Sequence, residues 1–200
     1  MEQKQVIISI GREFASAGHE IAEILAKKFD LPLYDYHIMR EVAARKNVKV
    51  ENIEPYDELP SKTFVSRTVK GYSSSPYVNI AQMQFDFLRK KADEGESFVV
   101  VGRCAEEVLK GNKGLITIFI LGDMDKKIER VMKYHDMTEK KAIKFIESQS
   151  KKRKAYHNYF CETKWGDSRN YEVCINSSKL GIDATVDLLE HYIKQRIEEM

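Results

Sequence analysis

The sequence predicts an α/β sandwich, a parallel sheet held between layers of helix. Three observations carry that prediction. Strand-like and helix-like segments alternate along the 200 residues. The central strand-like segments, Phe98-Val99-Val100-Val101 and LITIFIL at 115–121, are near-continuous apolar runs, as expected of strands buried on both faces. Residues 6–29 read strand, small-residue loop, helix. In such a sheet the crossovers are right-handed, and ligands gather at the carboxyl ends of the strands.

The elements follow in order. The β-branched run Val6-Ile7-Ile8-Ser9-Ile10 stops at Gly11. Small residues, Ala15-Ser16-Ala17-Gly18, make a loop, and Ile21, Ile24, Leu25 and Phe29 then recur at helical spacing. Asp30-Leu31-Pro32 breaks that pattern. Leu33-Tyr34-Asp35 is a short buried strand ending in an acid, and residues 36–46 read as helix. Residues 47–62, with Pro55 and Pro60, read as loop, and residues 63–75 as a mobile loop leading into a helix. Ile80, Met83, Phe87 and Leu88 share one face of a helix over 78–94, closed by Gly95. The strand over 97–101 ends at Gly102-Arg103, and a short helix over 105–109 is followed by the turn Gly111-Asn112-Lys113-Gly114. After the strand over 115–121, helices are expected over 125–134 and 138–159, a last strand over 171–175 and a last helix over 182–199. The residues just past the strands are Gly11-Arg12-Glu13, Asp35, Gly102-Arg103 and Asn176-Ser177.

Bulk properties narrow the function. A length of 200 residues fits one domain with a full core. A hydrophobic content of 42% with 32% charged residues is that of a soluble globular chain. The net charge of +2 does not call for nucleic acid or an anionic membrane as partner. No apolar run reaches the ~20 residues of a membrane span, and the N-terminus turns β-like too soon for a signal peptide. Cys104, Cys161 and Cys174 are an odd set without a C-x-x-C pair, which fits a reducing cytoplasm rather than a disulfide framework.

The first loop has the layout that presents backbone N–H groups and a helix N-terminus to a phosphate. The phosphate loop itself reads G-x-x-x-x-G-K-[ST], and here Gly18 is followed by His19-Glu20. Its ammonium and its metal-binding hydroxyl are missing, so positive charge must come from elsewhere. Arg12 is the nearest source and His19 a second; a plain strand-to-helix turn that binds nothing fits the same residues. Asp35 could steer a ribose or a metal-bound water, or simply cap a helix. Arg103, directly after a buried strand, offers a planar fork suited to bidentate phosphate binding, or a structural ion pair. Residues 129–153 are rich in cations. Most are solvated helix faces, but Arg130 and Arg153 are placed to close over a transferring phosphoryl group from a helical lid. Tyr156, Tyr159, Phe160 and Trp165 lie close in sequence and suit a core or a protomer interface better than a base-stacking platform. His37, His135, His157 and His191 lack a second ligand at metal spacing and read as structural or exposed, and Cys104 as a small buried residue.

The order SIGREFASAGHEIAEILAKKFDLPLYD, VVVGR, TIFILG and KKRKAYHNYFCETKWGDSRNYEVCINSSKLGI resembles the cytidylate kinase-like family over nearly the whole chain, residues 47–75 least. The resemblance implies a P-loop nucleoside monophosphate kinase in one domain over 1–200, with a central five-stranded parallel sheet in a three-layer sandwich. It also implies an acceptor-side insert over 47–75 and a helical lid over 130–168. It puts Gly11, Ser16, Ala17, Gly18, His19 and Glu20 in the phosphate loop. It matches Asp35 to the acid closing the second strand, sets Arg40 near an arginine that grips the acceptor phosphate, and matches Arg130 and Arg153 to lid arginines. Gly102-Arg103 matches the Gly-Arg-Asp of cytidylate kinases, with Cys104 in place of the aspartate. The implied activity is ATP-dependent phosphoryl transfer, with Mg²⁺, to a nucleoside monophosphate, CMP or dCMP first. Arg12, Arg130 and Arg153 would be catalytic, and Asp35, Arg40 and Arg103 would bind the acceptor. The implied partners are ATP and a small phosphorylated acceptor, with a homo-oligomer left open and neither nucleic acid nor membrane involved. The missing loop lysine and the Cys104 departure keep two alternatives in view: a nucleotide-binding sensor or scaffold with little turnover, and a kinase of another small phosphate acceptor.

Overall fold

The computed structural model describes residues 4–35, 68–69, 72–73 and 76–200. The helix expected over 36–46 and most of the 47–75 insert lie outside the described residues. The elements are β1 Ile7–Arg12, α1 Gly18–Lys28, β2 Leu33–Tyr34, a hairpin of β3 Thr68–Val69 with β4 Tyr72–Ser73, α2 Pro76–Asp93, β5 Phe98–Val101, α3 Ala105–Val108, β6 Leu115–Leu121, α4 Met124–His135, α5 Glu139–Phe160, β7 Val173–Asn176 and α6 Ser177–Glu199. A 3₁₀ turn, Ser168–Asn170, precedes β7.

Five strands form one all-parallel sheet, as expected, and their order is β2-β5-β1-β6-β7. β1 lies in the middle, paired with β5 from Ile7↔Phe98 to Ile10↔Val101 and with β6 from Ile7↔Leu115 to Arg12↔Ile120. Strand side chains point alternately to opposite faces, so each apolar run supplies two cores. Ile8, Ile10, Val99, Val101, Ile116, Ile118 and Ile120 pack with Ile21 and Leu25 of α1 and Leu189 and Ile193 of α6. Ile7, Phe98 and Val100 face the other way, onto Phe87 and Leu88 of α2 and Leu109. Burying a side chain of this size stabilises the fold by about 1.5–3 kcal/mol, which is why these runs carry no alternating polar residues.

The boundaries differ from expectation where pairing overrides local pattern. β1 continues past Gly11 to Arg12 because β6 is long enough to pair both residues. β7 starts at Val173 rather than residue 171, although the Glu172 amide still donates to the Thr117 carbonyl at 2.9 Å. α6 opens with a turn at Ser177 and is interrupted at Gly181 (φ 76°, ψ 175°), so its regular part begins near residue 182 as expected. Trp165 leaves the aromatic cluster expected for it. Tyr156 and Phe160 pack with Phe85 and Ala81, whereas Trp165 meets Phe119 at 5.4 Å between ring centroids. Among the described residues, no helix is long and apolar enough to cross a membrane.

Candidate active site

All five strands end at one edge, and the segments following β1, β5, β6 and β7 meet there. The loop between β1 and α1 is pinned by hydrogen bonds from its neighbours. The Glu13 amide donates to the Ile120 carbonyl at 3.0 Å, and Ser16 Oγ donates to the Glu13 carbonyl at 3.0 Å. Ser177 Oγ is shared between the Ser16 carbonyl at 2.7 Å and the Leu121 carbonyl at 3.1 Å. Ala15 and Ala17 both sit in the left-handed region, φ 61°, a conformation that costs an L-residue about 1–2 kcal/mol. The curl opens the first amides of α1 toward a cleft of ≈ 510 Å³ lined by residues 12–20, Glu23, Val131, Tyr134, His135, Arg130 and Arg153. Those amides have no partner within the helix, and the helix dipole adds partial positive charge.

Arg12 is held by two glycines. A Cβ on Gly18 would lie 2.6 Å from Arg12 Cβ, and one on Gly102 would collide with the Arg12 guanidinium. Gly102 also has φ +73°. The guanidinium thus passes through a channel that only glycine leaves open, and it borders both the main cleft and a smaller one beside it.

The other charged groups pair around the loop. Arg130 forms an ion pair with Glu20 and stacks on Tyr134, 5.2 Å from the ring centroid. Arg153 lies over the Phe14 ring at 5.3 Å. Lys127, a buried residue of α4 unremarked in the sequence, bonds Glu13 at 2.7 Å, and Glu13 also accepts from the Gly122 amide at 3.2 Å. His19 turns its Nε2 to the buried Asp35 carboxylate at 2.8 Å and its Nδ1 toward Glu23 at 3.6 Å.

A smaller cleft of ≈ 30 Å³ lies between β1 and β5, lined by Gly11, Arg12, Gly102, Arg103, Cys104, Glu106, Arg153, Tyr156, His157, Trp165 and Tyr171. Gly102, Arg103 and Cys104 are three consecutive residues at positive φ (73°, 60° and 53°), and Arg103 is buried. Glu106 and His157 form a buried pair at 2.7 Å, and Tyr171 Oη donates to the same Glu106 oxygen at 3.3 Å. Burial opposes charge on His157, but its Cys161 and Glu106 neighbours prevail and push it up to about 10. Burial, then Glu106, pushes the Tyr171 phenol up. This cluster was not legible in the sequence, because Glu106 and His157 pair across 51 positions rather than at any motif spacing. A third hollow of ≈ 390 Å³ lies on the other side of the loop, shared by residues 15–17, Arg130, Tyr134, Ser177, Ser178 and Ile182.

The structure therefore places Arg12, Ser16, Ala17, Gly18, His19, Glu20, Arg130 and Arg153 around one cleft, and Gly11 and Arg103 around its neighbour. Asp35 stands behind His19. Arg40 lies outside the described residues. Among the described residues, no group of three or more His, Cys, Asp or Glu side chains is arranged to hold a metal.

Residues 7–179 match the model of the cytidylate kinase-like family. The chain belongs to the cytidylate kinase-like family. No curated protein matches it. Among solved structures it is similar to an uncharacterized protein from Eubacterium ventriosum ATCC 27560, at 40% identity and TM-score 0.75, covering 95% of this chain and 99% of that one. It is also similar to the shikimate kinase of Bacteroides thetaiotaomicron, at 14% identity and TM-score 0.55, covering 94% of this chain and 98% of that one. A shikimate kinase from Acinetobacter baumannii, in complex with shikimate, matches at 12% identity and TM-score 0.55, over 97% and 95% of the two chains. At those identities the shikimate kinases establish the fold, a P-loop kinase sheet in a cytidylate kinase-like chain.

Proposed function

We propose that this cytidylate kinase-like chain is an ATP-dependent phosphotransferase whose acceptor is a nucleoside monophosphate, CMP or dCMP first. The observation that carries the reading is the curl before α1, with its free amides and three arginines at its lip. Phosphoryl transfer asks a protein mainly to position groups and neutralise charge, so no side-chain nucleophile is required. The amides of Ser16 to Glu20 and the Arg12 guanidinium cradle the donor phosphates in place of the missing lysine. The donor's base lies in the hollow beyond the loop, against Tyr134 and Ser177. Arg103 holds the acceptor phosphate, and Arg153, bordering both clefts, spans donor and acceptor. A phosphate entering the main cleft competes with Glu20 for Arg130, which draws α4 and α5 toward the ligand. Asp35 orients His19 at the rim and steers the acceptor.

Magnesium fits this donor set. Glu20 and Glu23 bring hard carboxylate oxygens to the cleft, and Mg²⁺ is commonly held by one or two carboxylates together with phosphates and water. When bound it would neutralise charge on the phosphates.

Turnover of Mg·ATP against CMP, dCMP, UMP, AMP and shikimate tests the reading. Turnover on CMP or dCMP is expected. Turnover only on another acceptor would move the substrate class. ATP binding with no turnover on any would favour a sensor, and no ATP binding would end both readings. Arg103→Ala should raise the acceptor KM by about 10–100-fold, the loss of one or two charge-assisted hydrogen bonds. Its Kd for ATP should stay within about twofold of the parent's; an equal loss of both would remove Arg103 from the acceptor side.

A further inference from the structure

We propose that Cys104 and Cys161 are a peroxide-oxidisable dithiol, a modification site at which a small hydroperoxide is reduced to water while a disulfide closes between the β5–α3 turn and the end of α5. Both thiols are free and buried, and both belong to one packed apolar cluster with Ala81, Phe85 and Tyr156. Cys104 precedes α3 at φ 53°, and Cys161 follows α5 in extended backbone. Neither sits inside a helix, so local backbone adjustment can bring the two sulfurs to bonding geometry without breaking a helical turn.

Access selects the oxidant. Cys104 borders the ≈ 30 Å³ cleft together with Glu106 and His157. Cys161 is not among the residues that line it, so an oxidant reaches the pair at Cys104, and so narrow a cleft favours hydrogen peroxide over the far larger glutathione disulfide. The two thiols also differ in reactivity. The Cys104 contact and the cationic His157 hold the Cys161 thiol down to about 7 against the opposing effect of burial. Its partner's contact and burial push the Cys104 thiol up. Cys161 has the more thiolate character and Cys104 the place at the cleft, so reactivity and access are divided between the two sulfurs.

The chemistry balances. One sulfur of the pair, as thiolate, attacks one peroxide oxygen; an S–O bond forms, the O–O bond breaks, and the departing hydroxide takes a proton and leaves as water. The other sulfur then loses its proton and attacks that sulfenic acid. The S–S bond forms, the S–O bond breaks, and a second water leaves. Two thiols and one peroxide give one disulfide and two waters, with two electrons passing from sulfur to oxygen. The bond ties the turn that carries Arg103 to the helix that carries Arg153, so oxidation locks the two arginines at a fixed separation.

The test uses folded protein with Cys174→Ser, which removes the exposed third thiol while keeping both members of the pair. After hydrogen peroxide, intact mass should fall by two hydrogens, non-reducing peptide mapping should join Cys104 to Cys161, and Tm should rise and return on reduction. Oxidised glutathione should give the same bond at least about tenfold more slowly. Adding either Cys104→Ser or Cys161→Ser should abolish the disulfide and leave a sulfenic acid on the remaining member of the pair that dimedone captures. Peroxide treatment that leaves both thiols open to alkylation, or joins them only in denaturant, overturns the inference, and this readout needs neither single-thiol variant to fold. Loss of turnover on oxidation rests on the phosphotransferase reading, whereas bond formation does not, so a protein without kinase activity that still forms the bond refutes that reading alone.

Discussion

Gly102 has its reason in another residue's side chain. It sits at positive φ, and a methyl group there would run into the Arg12 guanidinium. Gly102→Ala should therefore cost about 1–3 kcal/mol of stability from backbone strain alone. It should also weaken ATP binding by about tenfold, the loss of one well-placed cation. Chemical denaturation and nucleotide titration would measure the two effects, and a variant with unchanged affinity would refute the channel around Arg12. Residues of this kind were only half legible in the sequence. Gly11-Arg12 and Gly102-Arg103 stood out because they follow apolar β-runs. That one pair's glycine makes room for the other pair's arginine follows from sheet order, which places β5 beside β1. His19 was legible as a polar residue at the loop, but not as the partner of Asp35; nor did Glu13 announce its bond to Lys127, whose partner lies 114 positions away.

At the scale of elements, the join between β7 and α6 fixes the far side of the loop. Asn176 caps α6, its Oδ1 accepting from the Ser178 amide at 3.0 Å, and its Nδ2 donates to Asp123 at 2.7 Å. Asn176→Ala should lose about 1–2 kcal/mol in urea denaturation, a cap and a charge-assisted bond together; a loss under about 0.3 kcal/mol would show the cap to be idle. The join between α3 and α5 is electrostatic. The His157 imidazolium is favoured in the folded state, at about 10 against 6.5 for an unperturbed imidazole. Its contribution is thus complete below about pH 6.5 and disappears as pH climbs to about 10. Cys161 works in the opposite sense: held at about 7 against 9.0, its contribution is complete above pH 9 and is lost as pH falls to about 7. The pair should be separated in a Cys161→Ser background, where adding His157→Gln should flatten the loss of stability from pH 7 to 10. Parallel stability curves for the two proteins would show that the ion pair with Glu106 does not set that slope. Most of the described helices and strands were legible from apolar periodicity to within a few residues, the β3–β4 hairpin, in a segment read as loop, excepted; this join was not, since it depends on how a long helix packs back across the sheet.

Over the whole molecule, the class of fold could be read because both faces of the sheet demand apolar side chains, which removes the alternating pattern from 98–101 and 115–121. The five parallel strands came from likeness to a family, and the pairings bear them out; their order is visible only in the structure. The site was legible as a set of strand ends; its division into one broad cleft and one narrow one was not, because that depends on where α5 crosses the strand ends. The central position of β1 has a further consequence. Its main chain is hydrogen-bonded to neighbours on both sides, while α4 and α5 pack chiefly on each other through a small cluster around Val131, Ala142 and Ile146. Hydrogen–deuterium exchange should accordingly be slowest at the amides of Ile8 and Ile10 and markedly faster along the first half of α5, ahead of the buried Tyr156 and His157. A chain warmed toward its transition would then shed its arginine-bearing arm while the curl before α1 endured, and on the phosphotransferase reading nucleotide would still be gripped by a protein no longer able to enclose it.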